Sequence, residues 1–320
     1  MADMPLRLQD ALCALVAPLD AGELARDARA LSENYRLRTG EGARLLTREG
    51  EAAAYAAARM PATYAAAHAA LSEALHTSGL SPRTLLDCGA GTGAATFAAD
   101  ALLELEGATC LEREAAMRAV GRKLMGAFGG APARAVWAAW DMNKVDALPR
   151  AQLVCEGYML GELREGMRVP TALRLWDAAE QMLLLVEPGT PQGYANLCAV
   201  RDALLECGAY VAAPCPVGAC GCPLTGEEWC HFAVRVGRTR LHKALKGGDA
   251  PFEDEKFAYL ACTRTPPTAA CGERIVRHPQ IAPGRIALRT CAAKGIDERI
   301  VTKKDPLWKR ARKARWGDVL

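Results

Sequence analysis

Apolar and polar residues recur with helical spacing through the first part of the chain. The segments 20–38, 42–59 and 61–77 are rich in Ala, Leu, Glu and Arg, and each presents an apolar face. Such spacing predicts amphipathic helices, and Pro61 fits the first turn of the third one. We therefore expect residues 1–80 to form a helical N-terminal extension.

From residue 84 onward, short apolar runs alternate with helical segments. The runs that predict strands are 84–87, 108–112, 134–139, 151–155 and 181–187, with a further strand near Ala209. Helices are predicted at about 94–105, 114–127 and 193–207. Because alternating strands and helices are typical of a doubly wound, mostly parallel sheet, we expect a Rossmann-like α/β domain over residues 81–212.

The pattern changes at about residue 213, where Cys, Pro and Gly become frequent. A strand is predicted at 231–236 and a basic loop at 238–248, whereas residues 272–302 predict short strands joined by turns. Residues 213–320 are therefore expected to form a cysteine-rich metal-binding region, a small β module and a basic C-terminal tail.

The turn after the first strand reads Asp-Cys-Gly-Ala-Gly-Thr-Gly over residues 87–93. Glycines let a backbone turn tightly and approach a ligand closely, and the helix that follows offers free amides. A loop in this position lies at the ligand-binding edge of a parallel sheet. The predicted cofactor-binding residues, taken from the loop and from the ends of the next two strands, are Asp87, Gly89, Gly91, Gly93, Glu112 and Asp141.

S-adenosylmethionine is the cofactor that these residues favour. An acid directly before the glycines faces the methionine moiety in enzymes that use this cofactor, and Glu112 is placed to accept hydrogen bonds from the ribose hydroxyls. Asp141 would lie beside the adenine, although a strand-end cap is an equal interpretation. A dinucleotide is an alternative, but the Gly-x-Gly-x-x-Gly order ends here in Ala94 or Thr96. A pocket that no longer binds a ligand is the other alternative.

Residues for methyl transfer are harder to find. Amino-group methylases often carry an Asn/Asp-Pro-Pro-aromatic turn after the fourth strand, and residues 155–162 have no Pro-Pro. Cys155 could attack a ring carbon as a thiolate, but a small buried thiol at a strand end is the favoured interpretation. Glu156, Tyr158 and Glu162 either line the substrate mouth or belong to a helix start and the surface.

Thirteen cysteines are many for a chain of this length. Cys215, Cys220, Cys222 and Cys230 fall within sixteen residues, and Cys291 lies in the β module. Prolines follow two of them, as in ferredoxin-type runs, and no paired Cys-x-x-Cys knuckle of a structural zinc site occurs among them. This irregular spacing suits an iron–sulfur cluster at least as well as zinc, and a group of unrelated buried thiols is the other alternative.

The remaining cysteines are interpreted mainly as packing residues. They are Cys13, Cys88, Cys110, Cys198, Cys207, Cys262 and Cys271. His231 follows Cys230 directly and could be a ligand, but a structural histidine is the favoured interpretation.

Several motifs resemble the methyltransferase-like small-ribosomal-subunit assembly proteins of mitochondria and their bacterial relatives. They are LLDCGAGTGAA (85–95), LERE (111–114), LGEL (160–163), LLLVEPGTPQGY (183–194), APCP (213–216), CPL (222–224), WCHF (229–232), KGG (246–248), FEDEKFAYL (252–260) and ARKARWGD (311–318). The resemblance extends from about residue 85 to the C-terminus. It implies a class I S-adenosylmethionine-dependent methyltransferase fold.

The resemblance also implies a [4Fe–4S] cluster. Its ligands would be the cysteines of APCP, CPL and WCHF together with the one in the β module: Cys215, Cys222, Cys230 and Cys291. Cys220 then stands outside the pattern, although its closeness to Cys222 keeps it an alternative ligand. This chain has Val217 where the family has a histidine, so any role of that histidine is missing.

The partner that the resemblance implies is the rRNA of the small ribosomal subunit, during maturation of that particle, with or without rRNA methylation. The tail 303–315 fits this partner because it holds seven Lys or Arg residues against Asp305. A solvated helix face is the alternative interpretation of the tail. Two rival functions are an RNA or protein methyltransferase unrelated to assembly and a non-catalytic, zinc-containing RNA-binding module.

Composition adds limits on the compartment. The formal net charge is only +3, so overall charge does not indicate nucleic acid, and no DNA partner is expected. We find no secretory signal and no run of about 20 apolar residues that would form a membrane helix. The expected location is the cytoplasm or an equivalent reducing compartment.

Overall fold

The computed structural model describes residues 3–37, 47–144, 147–215, 221–225, 227–246 and 250–320. Three helices begin the chain: α1 (Leu6–Val16), α2 (Ala21–Leu37) and α3 (Glu49–Ser78). None of the helices in these ranges combines the length and the apolar character that crossing a bilayer requires.

The prediction of a helix boundary at Pro61 was wrong. Helix α3 is continuous over 30 residues and contains Pro61 in its interior. Proline removes one backbone hydrogen bond from a helix. The alanines on both sides favour helix strongly and are almost fully buried, so packing outweighs that loss. Residues 42–46, the start of the predicted second helix, lie outside the described residues.

The central sheet has eight strands. They are β1 (Thr84–Cys88), β2 (Gly107–Glu112), β3 (Val136–Ala139), β4 (Ala151–Gly157), β5 (Ala179–Pro188), β6 (Tyr210–Ala213), β7 (Phe232–Gly237) and β8 (Phe252–Thr263). The spatial order is β3-β2-β1-β4-β5-β8-β6, and β7 also pairs with β8. Strands β1 to β5 are parallel, whereas β8 is antiparallel to β5, β6 and β7.

Helices cover both faces of this sheet. They are α4 (Ala94–Asp100), α5 (Ala115–Phe128), α6 (Glu165–Ala178) and α7 (Pro191–Glu206). Helix α3 packs on one face, where its alanines and Leu71 meet Leu85, Leu153 and Leu184. Helices α6 and α7 pack on the other face against Val154 and Leu185. The fold is therefore a three-layer α/β sandwich.

Part of the region after residue 212 belongs to the same sheet. The segment 252–262, which was not predicted as a strand, forms β8 between β5 and β6. The predicted basic loop at 238–248 contains a short helix, α8 (Arg240–Lys246), in its described part. Its first turn is capped, since the Thr239 hydroxyl accepts a hydrogen bond from the amide of His242 at 3.2 Å.

The predicted β module is present. It consists of β9 (Arg274–Ile275), β10 (Gln280–Ala282), β11 (Arg285–Ala292) and β12 (Gly295–Thr302), followed by α9 (Trp308–Ala311). All its strand pairs are antiparallel. It has a small core of its own, formed by Ile275, Ile286, Leu288, Val301 and Ala311.

A buried arginine connects the module to the rest of the chain. Arg274 is 2% exposed and forms an ion pair with Glu73 on α3. It also donates hydrogen bonds to the carbonyl oxygens of Pro214 at 3.0 Å and Gly317 at 2.7 Å. Its guanidinium lies 5.1 Å from the centre of the Phe232 ring. One side chain thus joins the helical layer, the start of the cysteine-rich segment and the C-terminus.

We predict that Arg274→Met lowers the free energy of unfolding by about 3 kcal/mol, because it leaves the Glu73 carboxylate and two carbonyl oxygens without their donor. Urea denaturation measures this change. Arg299→Met is the control, since Arg299 is 40% exposed and lies 3.9 Å from Glu273. Its effect should stay below about 1 kcal/mol. Equal losses from the two substitutions would contradict the role given to Arg274.

Candidate functional site

The glycine loop lies between β1 and α4, at the carboxyl edge of the parallel strands. Gly89, Gly91 and Gly93 have φ angles of +70°, +57° and +92°, which side chains other than glycine rarely adopt. A Cβ on Gly89 would lie 2.8 Å from the sulfur of Met159, and one on Gly93 would lie 2.4 Å from the Met125 methyl group. The backbone conformation therefore favours glycine at all three positions, and a Cβ at Gly89 or Gly93 would also displace the end of a methionine side chain.

Asp87 holds this loop to its helix. The side chain is buried, and its Oδ2 accepts hydrogen bonds from the Thr96 amide at 3.1 Å and the Thr96 hydroxyl at 2.7 Å. Burial raises the pKa of the Asp87 carboxyl to about 6, against the lowering effect of these two hydrogen bonds. Asp87 therefore lies at the carboxyl edge of the sheet, and its Oδ2 is hydrogen-bonded to Thr96 of α4.

Glu112 ends β2 and faces the same loop. Its Oε2 accepts a hydrogen bond from the Gly91 amide at 2.9 Å, and its Oε1 accepts one from the Glu114 amide at 2.7 Å. A carboxylate has about four acceptor positions, so each oxygen retains capacity for a further donor. Burial raises the pKa of Glu112.

Asp141 lies beyond the end of β3 and is half-buried. Its Oδ1 accepts hydrogen bonds from the Asn143 amide at 3.0 Å and from the Asn143 side chain at 2.9 Å. Burial acts to raise the pKa of Asp141, but these hydrogen bonds prevail and lower it. In this geometry the carboxylate caps a turn.

Further carboxyl groups lie at the ends of β4 and β5. Glu156 Oε1 accepts hydrogen bonds from the amides of Met159 at 2.6 Å and Leu160 at 3.2 Å, and Glu187 lies 3.5 Å from the Asn196 amide group. Burial raises the pKa of both carboxyls, and the negative charge of Glu187 raises the pKa of Glu156 further. Glu156 Oε2 and Glu187 Oε1 are buried atoms without a hydrogen-bond partner in the structure.

The end of β4 also carries a strained tyrosine. Tyr158 has a φ of +62°, which is unusual for a residue with a side chain, and its hydroxyl donates to Glu255 at 3.0 Å. Burial raises the pKa of Glu162 to about 7. Cys155 is buried, and burial raises the pKa of its thiol, which disfavours the thiolate that a nucleophile requires.

A second site lies at the start of the cysteine-rich region. Cys215, Cys222, Cys230 and Cys291 all line one cavity, with about 610 Å³ of empty space that is partly open to solvent. The four cysteines named from the sequence therefore lie on the walls of the same cavity. Cys220 and Val217 lie outside the described residues. His231 does not line the cavity and packs 4.0 Å from the Trp316 ring, between centroids.

Sequence reasoning missed one wall of this cavity. Tyr194, Cys198 and Arg201 on α7 also line it, although Cys198 was interpreted as a packing residue. Their spacing of four and three residues places them on one face of the helix, which is the signal that could have revealed them. Arg274 of the β module lines the cavity as well.

The thiols differ in their electrostatic surroundings. Hydrogen bonds from Cys198 and from the Tyr194 hydroxyl, which lies 2.9 Å from the Cys222 sulfur, lower the pKa of Cys222. Burial raises the pKa of Cys230 and of Cys291 to about 12. Within the described ranges, no three His, Cys, Asp or Glu side chains are grouped as ligands of a single metal ion.

The strand order and the loop define a class of protein. Parallel strands in the order β3-β2-β1-β4-β5, followed by an antiparallel β8 and then β6, form the sheet. With a glycine loop after β1 and an acid at the end of β2, this is the class I S-adenosylmethionine-dependent methyltransferase fold. The α/β fold class expected from the sequence is confirmed.

Within that class, residues 49–320 match the family described as "Mitochondrial small ribosomal subunit Rsm22", and the chain belongs to this family. The chain is also 28% identical, over 294 residues, to the human protein described as "Ribosome assembly protein METTL17, mitochondrial". The alignment covers 85% of this chain and 63% of the human protein, so the chain spans less than two thirds of that relative. The resemblance drawn from the sequence motifs is confirmed.

Solved methyltransferase structures are more distant. Magnesium protoporphyrin IX methyltransferase from Synechocystis, with S-adenosylmethionine bound, has 12% identity and a TM-score of 0.43, over 77% of this chain and 98% of that chain. Precorrin-6y C5,15-methyltransferase from Geobacter metallireducens has 17% identity and a TM-score of 0.39, over 61% and 86%. The strand order, rather than this similarity, defines the fold class.

The pKa of Asp87 predicts a pH dependence of stability. Because the folded chain raises this pKa from 3.8 to about 6, the carboxyl stabilises the fold below pH 3.8, and this contribution is lost as the pH rises through 6. The loss is about 3 kcal/mol. Asp87→Asn keeps an oxygen for Thr96 and should lose less stability than the wild type between pH 4 and pH 7.

Urea denaturation at several pH values measures the difference between Asp87→Asn and the wild type. Asp10→Asn, at an exposed position on α1, is the control and should follow the wild-type curve. A curve for Asp87→Asn that parallels the wild type over the whole range would refute the prediction.

Proposed function

We propose that this chain binds S-adenosylmethionine at the carboxyl edge of its sheet, holds an iron–sulfur cluster in the cysteine cavity and acts in maturation of the small ribosomal subunit. The observation that carries the proposal is that three cysteines of one short segment and the distant Cys291 all line one cavity of an Rsm22-family chain. The descriptions of the family and of the human relative support the partner.

The carboxyl edge fits a nucleoside cofactor. The loop at Gly89–Gly93 turns tightly through three glycines with positive φ angles, and α4 begins directly after it. Each oxygen of Glu112 accepts one amide hydrogen bond and can accept another from a ribose hydroxyl. Asp87 and Asp141 would flank the ligand on either side of Glu112.

The lining of the cavity is compatible with a thiolate-bound cluster. Cys215, Cys222, Cys230 and Cys291 would be its ligands, since all four side chains line the cavity. Thiolates are the ligands that such clusters use. When bound, a cluster would supply one-electron redox chemistry and a covalent link between the cysteine-rich segment and the β module. Metal-binding energy would then contribute to folding.

The positive charge of the C-terminal tail is suited to binding the phosphates of an RNA partner. Seven Lys or Arg side chains between residues 303 and 315 are exposed, and they lie on and around α9. Such side chains can neutralise phosphates without reading sequence. Methyl transfer is not required by this role, and the end of β4 offers a protonated Cys155 thiol and no Pro-Pro turn.

The compartment follows from the partner. The cytoplasm was expected from the sequence, whereas the human relative is described as mitochondrial. We therefore propose that the chain works wherever its small ribosomal subunits are assembled.

Glu112→Gln should weaken binding of S-adenosylmethionine by at least about tenfold. The substitution replaces hydrogen bonds to a charged oxygen by weaker neutral ones, a difference of about 1.5 kcal/mol. Isothermal titration calorimetry measures the dissociation constant. Glu206→Gln, at an exposed position near the end of α7, should bind like the wild type. Unchanged affinity in Glu112→Gln would remove Glu112 from the binding site.

The chain should sediment with purified small ribosomal subunits, and the tail should set the salt dependence. Replacing Lys303, Lys304, Lys309 and Lys313 by Gln should reduce the slope of log K against log salt by about 3, as each lost phosphate contact contributes roughly 0.7 to 0.9. The control replaces four exposed arginines elsewhere by Gln: Arg26, Arg29, Arg83 and Arg150. Wild-type chain that stays in the supernatant would overturn the proposed partner, and equal slopes would overturn the role of the tail.

A further inference from the structure

One face of α7 lines the cysteine cavity without contributing any of the four proposed ligands. Tyr194, Cys198 and Arg201 form this face, and all three line the cavity. The phenol, the thiol and the guanidinium can donate hydrogen bonds or add positive charge. The face therefore carries groups that act on an anionic centre without ligating it.

Tyr194 contacts one proposed ligand directly. Its hydroxyl oxygen lies 2.9 Å from the sulfur of Cys222. A thiolate sulfur has no proton, so in that state the hydroxyl is the donor. Hydrogen bonds to the sulfur ligands are among the factors that set the reduction potential of an iron–sulfur cluster. Such a bond strengthens when the centre becomes more negative.

Arg201 brings positive charge to the same wall. Its side chain is 5% exposed, and the carboxylate of Asp202 lies 3.8 Å from its Nη1 but is 65% exposed. Water therefore screens the charge of the exposed Asp202 carboxylate far more than it screens the charge of the buried Arg201 guanidinium. A cation in such a buried position favours the more negative state of a neighbouring redox centre, because the interior screens charge weakly.

We propose that Tyr194 and Arg201 are positioning residues that raise the reduction potential of the four-thiolate centre in this cavity. The inference rests on the cluster assigned under the proposed function. The redox step adds one electron to the cluster from an external reductant, and no bond between the protein and the cluster forms or breaks. Tyr194 stabilises the added charge through its hydrogen bond to Cys222, and Arg201 does so through its positive charge.

The test is a spectroelectrochemical titration of the full chain, reconstituted anaerobically with iron and sulfide and reduced by dithionite through mediators. Tyr194→Phe keeps the ring and removes only the hydroxyl, and Arg201→Gln removes the charge. At a fixed potential, each variant should hold about tenfold less reduced cluster relative to oxidised cluster, or about 59 mV for one electron. Tyr210→Phe is the matched control at a tyrosine that is 43% exposed on β6, and it should titrate like the wild type.

The outcomes are distinguishable. Cluster-loaded Tyr194→Phe with the wild-type potential would overturn the inference and leave the proposed cluster standing. Wild-type chain that takes up no iron and sulfide would overturn both. If Arg201→Gln does not fold, Tyr194→Phe alone decides, because it retains the packing of the aromatic ring.

Discussion

The position of the Arg274 guanidinium is the constraint on which the second site depends. This side chain begins the β module, yet its partners are Glu73 on α3 and the carbonyl oxygens of Pro214 and Gly317. A buried guanidinium must keep its hydrogen-bond partners, since an unpaired buried charge is strongly destabilising. The module is thereby fixed beside the residue that precedes Cys215. Cys291 can then line the same cavity as cysteines that are more than sixty residues away.

Helix α7 connects the two sites. It follows Glu187 at the end of β5, and Thr190 caps its first turn by accepting a hydrogen bond from the Gly193 amide at 3.1 Å. Asn196 points toward Glu187 and also accepts a hydrogen bond from Arg168 at 2.8 Å. The face that carries Tyr194, Cys198 and Arg201 meets the cysteine cavity instead. One rigid element therefore contacts both the carboxyl edge and the proposed metal centre.

Local pattern was sufficient for the strands β1 to β5 and for the glycine loop, because apolar runs and glycine spacing depend on neighbouring residues. Local pattern was insufficient where contacts between residues far apart in the sequence determine the structure. Pro61 marks a boundary only in an isolated helix, whereas the buried alanines of α3 keep the helix continuous. Strand β8 begins with a charged run that does not resemble a buried strand. Two ion pairs stabilise that run: Arg235 on β7 contacts Asp254 at 2.8 Å, and Arg238, which follows β7, contacts Glu253 at 2.9 Å.

The residues of the candidate site also differ in this way: some could be identified from the local sequence, and others are brought together only by the fold. The clustering of cysteines in one short segment suggested a metal site, and the family resemblance of the motifs implied which four cysteines would be its ligands. Cys198 was not named, because its helical spacing from Tyr194 and Arg201 defines a face of α7 but does not say what that face contacts. Only the fold places Cys198 beside Cys222. The hydrogen bonds of Asp87 and Glu112 likewise depend on how β1, β2 and α4 meet at the edge of the sheet.

The central claim is that the four cysteines share one inorganic centre, and metal analysis of the anaerobically purified full chain tests it most directly. The wild type and Cys262→Ser, which alters a buried thiol outside the cavity, should each contain about four irons and four acid-labile sulfides per chain. Cys230→Ser should lose most of both and unfold at lower denaturant concentration. Stoichiometric zinc, or no metal at all, in the wild type would contradict the account, as would equal metal contents in the two variants.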